Sequence, residues 1–172
     1  MRILGIDPGL GVCGYAVVEK QDAAEELLEA GVVASNEKLA IEKRLNQIAI
    51  DFAVILEKFQ PQVVAIEQLY SHYAHPNTAI LMGHARGVIL QKSAEAGVEV
   101  KSFSATRIKK SLTGNGRASK EQVQKTVRVL LSLKEIPQPA DVADAIAAAL
   151  CCANSMVLHK TTNEHQMKKN YV

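Results

Sequence analysis

The chain has 172 residues, 48% of them hydrophobic and 22% charged, with a net charge of +2. These values suit one soluble globular domain with a sizeable core and leave no need for a second domain. No charged, apolar, small-residue leader opens the sequence and no apolar stretch reaches membrane-spanning length, so a cytosolic protein is expected.

The first thirty-five residues read as a three-stranded meander: Arg2 to Asp7, a Gly9-Leu10-Gly11 turn, Cys13 to Glu19, and Leu27 to Ala34. Helical spacing then takes over. Ile41, Leu45, Ile48, Phe52, Ile55, Leu56 and Phe59 recur on one face of a helix predicted over 38–59, and Pro61 follows its end. A short apolar strand, Val63 to Glu67, leads into a loop holding Tyr70, His72, Tyr73, His75 and Pro76. His72 and His75 lack the spacing of a metal motif and read as solvated loop residues. A second helix is predicted from Thr78 to Ala96 with Gly97 as its stop, then a fifth strand from Val98 to Phe103. A short basic helix, a glycine loop, a helix from Ser119 to Leu133 and a final helix from Ala140 to Leu158 complete the domain, 1–158. The polar end, 159–172, reads as a frayed, disordered tail. Hairpins make the first three strands antiparallel, whereas helical crossovers make the later ones parallel, so the fold class is α/β with a five-stranded mixed sheet. Cys13, Cys151 and Cys152 are odd in number and two are adjacent, which suits small core hydrophobes better than disulfides or zinc ligands.

Four carboxylates fall where this order could gather them. Asp7 and Glu67 each close a short apolar strand, at the same sheet edge if the strands are parallel neighbours. Asp141 and Asp144 are three apart at the start of the alanine-rich last helix and share a face. An oxygen-rich cluster without thiolates selects hard divalent cations, which can activate water and stabilise the leaving oxygen of a phosphodiester. Each acid also has an ordinary use to weigh. Asp7 precedes Pro8-Gly9 and could be a turn residue, and Asp141 and Asp144 could be first-turn acids favoured by the helix dipole. Glu67 has no turn or cap duty, and its charge would be costly to bury unpaired.

The positive charge is concentrated. Between Lys101 and Arg128 there are eight cations, Lys101, Arg107, Lys109, Lys110, Arg117, Lys120, Lys125 and Arg128, against Glu121 alone; this local +7 leaves −5 elsewhere. Cations beside an acidic site suit a nuclease, because they bind the phosphate backbone; a solvated helix face is the plainer alternative. Within the run, 114–120 offers flexible glycine backbone and then Ser119 and Gln122 at capping-box spacing, a helix start able to hold a phosphate. Gly83 and Gly87, four apart in the second helix, cost helix stability and so point to close approach of another helix. That neighbour is either within the chain or a second copy across a twofold axis.

Five ordered motifs carry a resemblance: Gly5-Ile6-Asp7-Pro8-Gly9-Leu10 with Gly14-Tyr15, Ala65-Ile66-Glu67-Gln68, Gly83-His84-Ala85-Arg86-Gly87, Thr113-Gly114-Asn115-Gly116, and Asp141-Val142-Ala143-Asp144-Ala145. Over roughly the first nine-tenths of its length the chain resembles the RuvC family of Holliday junction resolvases. The resemblance implies a ribonuclease-H-like fold and a homodimer that nicks two strands of a four-way DNA junction symmetrically during recombination and repair. It also implies two magnesium ions per site, with manganese possible, and action alongside the RuvAB branch-migration complex. It makes Asp7, Glu67, Asp141 and Asp144 the metal-binding catalytic acids and matches Lys109 and Lys120 to DNA-contacting lysines. Tyr70 falls at a position that is usually phenylalanine and stacks on bases; a tyrosine ring can stack equally, or can serve as a buried loop anchor. Arg107, Lys110 and Arg117 join the DNA-binding set on charge alone. The chain departs from its relatives at Gly11 and Cys13, often arginine and threonine, and in the histidines and Pro76 after Tyr70, where lysine is common.

Three other readings compete. An actin-like or sugar-kinase ATPase shares the first strand and Gly-Ile-Asp loop, but such enzymes duplicate the domain and this chain is too short for both halves. The related nucleases that process ribosomal RNA share the acid layout, but they are shorter and lack the basic glycine loop. A non-enzymatic junction-binding module would not require intact acids at all four positions.

Overall fold

The computed structural model describes residues 1–21, 24–69 and 76–169. Five strands, β1 (Arg2–Asp7), β2 (Val12–Lys20), β3 (Glu25–Ala34), β4 (Val63–Glu67) and β5 (Glu99–Phe103), form one sheet in the order β3-β2-β1-β4-β5. The first three pair antiparallel, and β1–β4 and β4–β5 pair parallel, as the lengths of the connections require. Helices α1 (Ile41–Phe59), α2 (Pro76–Glu95), α3 (Ala105–Thr113), α4 (Lys120–Leu130) and α5 (Ala140–Lys169) cover both faces. Among the described residues no helix is long and apolar enough to cross a membrane.

The period-2 alternation of the strands sorts the core into two layers. Ile3, Ala16, Val18, Val63 and Ala65 face α5, together with Ile108 of α3 and Val123 and Val127 of α4. Leu4, Ile6, Val17, Val64 and Ile66 face the opposite side, against Ile48 and Phe52 of α1 and Ala85 and Ile89 of α2. The face toward α5 is built from small residues. A Cβ on Gly5 would collide with the Ala145 carbonyl oxygen, and one on Gly14 with that of Asp141. The α5 residues Ala143, Ala145, Ala147, Ala148 and Ala149 are all buried in this layer, and Ala145 and Ala149 lie over Gly5. Glycine and alanine on both sides therefore bring the helix backbone nearly onto the strands, and α5 becomes the central helix of its layer. Cys13, Cys151 and Cys152 are free and buried, in the role of small hydrophobes.

Boundaries differ from the sequence expectation where capping or tertiary contact decides them. Helix α1 starts at Ile41, because Ala40 is extended and the Leu39 amide turns back to the Asn36 carbonyl. Helix α4 ends at Leu130 rather than Leu133, since Ser132 takes a positive φ of 51°. The backbone of α5 continues past Leu158 to Lys169. The glycine loop is not the flexible segment that its composition suggests. Gly114 caps α3 in the left-handed region at φ 75°, the Arg117 amide donates to Asn115 Oδ1 at 2.9 Å, and a Cβ on Gly116 would press on Thr106.

Candidate active site

Strand parity decides where the first two acids point. Asp7 lies two residues beyond Gly5, and Glu67 two beyond Ala65, so both fall on the face that packs against α5. Because Gly5 pairs with Ala65 and Ile6 with Ile66 in the parallel β1–β4 ladder, the two acids end neighbouring strands side by side. The close seat of α5 over Gly5 and Gly14 sets its first turns, with Asp141 and Asp144, against these strand ends. The carboxylate most affected is Asp7. Burial pushes it from 3.8 up to about 7, and Asp144, Glu67 and Asp141 all add to the rise while Lys120 opposes it. Burial and Asp144 also raise Glu67, against Lys109 and Lys120. The structure thus brings together all four acids singled out from sequence.

Two lysines border the acids. Lys120 Nζ lies 2.8 Å from Asp144 Oδ2, and this bond pushes the ammonium up from its ordinary value. Its side chain is 57% exposed, so the pair is largely screened and cheap to break. Lys109 lines, with Glu67, Lys120, Asp144, Ile108 and Ala147, a cleft of about 210 Å³. Helix α4 begins at this cleft with a complete capping box, in which the Gln122 amide donates to Ser119 Oγ and the Ser119 amide to Gln122 Oε1.

The donor set is wholly oxygen, which fits a hard divalent cation and not zinc or copper. Mutual repulsion centred on Asp7 is the electrostatic counterpart of that fit, since a bound cation would relieve it. Among the described residues no three acidic, histidine or cysteine side chains form a ligating group as placed. The four acids are neighbouring charges, of which Glu67 and Asp144 line the cleft.

The remaining candidates separate. Arg107 and Lys110 line a different groove, and Arg117 is exposed in the turn between α3 and α4. The basic run is therefore not one surface. Tyr70, His72 and His75 lie outside the described residues. Gly83 and Gly87 are exposed on α2; Gly87 has open space where a Cβ would stand, and Gly83 meets only Leu69 Cδ1 at 4.0 Å. Among the described residues no helix packs on them. Sequence reasoning missed the Lys120–Asp144 pair and the seating role of Gly5 and Gly14. The two glycines were legible as gaps on the strand face that also carries Asp7.

The comparisons with known proteins agree with this geometry. Residues 3–152 match the family model for crossover junction endodeoxyribonuclease RuvC. The chain is 49% identical to the crossover junction endodeoxyribonuclease RuvC of Rhodopirellula baltica, across 87% of this chain and 84% of the relative. It is 44% identical to that of Heliobacterium modesticaldum, across 91% and 96%. The structure of Thermus thermophilus RuvC in complex with a Holliday junction substrate superposes with a TM-score of 0.87 at 35% identity, covering 92% of this chain and 96% of that one. With the acids, the sheet order and these likenesses in agreement, the chain belongs to the RuvC family of crossover junction endodeoxyribonucleases.

Proposed function

We propose that this protein resolves four-way DNA junctions by hydrolysing one phosphodiester in each of two opposed strands. The observation that carries the reading is the electrostatic coupling of Asp7 to Glu67, Asp141 and Asp144 beside a cleft lined by Glu67, Asp144, Lys109 and Lys120. Asp7, Glu67, Asp141 and Asp144 would hold magnesium, with manganese as a substitute, as two ions per site. Such ions supply an activated water and charge neutralisation at the leaving oxygen. The protein's own residues do the positioning. Asp7 and Glu67 are fixed by paired strand ends and Asp141 and Asp144 by one helix turn, so the acids form a rigid frame across which a phosphate can be aligned. Lys109 and Lys120 bring positive charge to the same cleft and would contact the phosphates flanking the cut, Lys120 by exchanging Asp144 for DNA. Arg107, Lys110 and Arg117 would add DNA contacts outside that cleft, and Tyr70 would stack on a base at the crossover.

Two cuts related by symmetry need two such sites. The open Gly83 and Gly87 positions, beside exposed Ile80 and Leu81, support α2 as the contact of a homodimer. Cooperation with RuvAB and a cytoplasmic location follow from the family reading. A family match over 3–152 favours neither RNA processing nor an ATPase fragment.

The test is incubation with a synthetic four-way junction, linear duplex and structured RNA in magnesium, for the wild type and Glu67→Gln. Paired nicks in the junction alone, lost in the variant with binding kept, are expected. Cleavage by Glu67→Gln at the wild-type rate, or preference for RNA, would refute the assignment.

A further inference from the structure

Helix α3 presents cations in two directions. Lys109 enters the acid cleft, whereas Arg107 and Lys110 line a groove of about 200 Å³ between α3 and α5, completed by Ser111, Cys151, Asn154 and Ser155. Among the described residues no acidic side chain lines this groove. Among the described residues neither Arg107 nor Lys110 takes part in an ion pair, whereas Lys120 and Lys125, on neighbouring α4, each have a carboxylate. Arg107 is pre-positioned, with its guanidinium 5.1 Å from the centroid of the Phe103 ring, which leaves its donor edges free. Asn154 Nδ2 donates to Ser111 Oγ at 3.2 Å, so the hydroxyl proton of Ser111 is left to point elsewhere. Ser155 Oγ donates to the Cys152 carbonyl at 2.7 Å, so two cations unpaired among the described residues, with the Asn154 amide and the Ser111 hydroxyl, form a surface suited to a phosphodiester oxyanion.

We propose that this groove is a second phosphate-binding site, which grips the DNA strand at a distance from the phosphate being cut. The inference rests on the junction-resolving reading above. The two sites lie along one ridge of α5: Asp144 and Ala147 line the cleft, and Cys151, Asn154 and Ser155 line the groove. From Asp144 to Asn154 the helix rises about 15 Å at 1.5 Å per residue. A duplex arm whose axis runs along α5 covers that span in about four base pairs, at about 3.4 Å of axial rise per nucleotide of one strand. The groove therefore fixes the register of an arm on the cleft and supplies contacts that a phosphate in the cleft cannot reach.

The experiment uses the full chain and a four-way junction carrying one neutral methylphosphonate at successive positions from the cut. Arg107→Gln combined with Lys110→Gln should reduce the slope of log affinity against log salt by about 2, and Lys110→Gln alone by about 1. Both side chains are exposed, so the fold should persist, which circular dichroism checks. A methylphosphonate about four nucleotides from the cut should weaken wild-type binding and leave the double variant unaffected, by the linear spacing of the two sites. An unchanged salt slope, or a double variant as sensitive as the wild type at every position, overturns the groove while junction cutting by the wild type stands. A wild type that neither binds nor cuts the junction overturns the function on which the groove depends.

Discussion

Replacing Asp7 by asparagine should make the metal-free protein more stable and inactive at once. The carboxylate is pushed from 3.8 to about 7, by burial first and by Asp144, Glu67 and Asp141 after it. At about 1.4 kcal/mol for each tenfold change in proton affinity, keeping it ionised in the folded state costs at most on the order of 4 kcal/mol. Relaxation around the charge recovers part of this, so about 2 kcal/mol is expected in measurement. The folded state holds the proton more tightly than the unfolded chain, so stability falls as pH rises between these values. The penalty is absent below 3.8 and complete above about 7. Asparagine carries no such charge. In urea unfolding with a chelator, Asp7→Asn should exceed the wild type by about 2 kcal/mol near pH 8, and the gap should shrink by about 1 kcal/mol near pH 5. Nicking in magnesium should be lost throughout. A gap that does not change with pH, or an asparagine variant less stable near pH 8, would refute the electrostatic account of this site.

Three further outcomes follow from other parts of the molecule. Gly14→Ala drives a Cβ into the Asp141 carbonyl; it should cost about 1 to 3 kcal/mol of stability by overpacking and lower the single-turnover nicking rate about 100-fold, with junction affinity held. Lys109→Gln and Lys120→Gln should each lower the salt slope of junction binding by about one, read by fluorescence anisotropy across a salt series. Gly87→Leu fills open space on α2 without touching the monomer's core, so sedimentation should show a folded monomer that makes unpaired nicks; a dimer with paired nicks would place the interface elsewhere.

The sheet and the position of the acids were legible because they depend on local rules. Alternating apolar residues set β1 and β4, connection lengths set their pairing, and one acid at each strand end set a shared edge. The basic run was not resolvable in the same way. Whether Lys109 or Lys110 meets the acids depends on how α3 is rotated about its axis, and packing of Ile108 into the core determines that. The Lys120–Asp144 pair joins α4 to α5 and leaves no trace in local spacing. The glycine loop misled for a related reason: its composition suggested mobility, but Asn115 and the left-handed Gly114 lock it. Helix ends were missed wherever one extended or positive-φ residue, such as Ala40 or Ser132, decided them.

The seating of α5 over Gly5 and Gly14 also bears on how the enzyme can change without losing its chemistry. Asp141 and Asp144 take their height above the sheet from main chain resting on main chain, not from the volume of neighbouring side chains. Trimming Ile3 or Val18 in the same layer opens a void and lowers stability, but leaves the helix resting on its two glycine contacts. The frame of four acids is thereby insulated from drift in the surrounding core, so sequences can diverge widely in aliphatic packing while the acids keep their spacing. A single added methyl at either glycine, by contrast, tilts the frame itself.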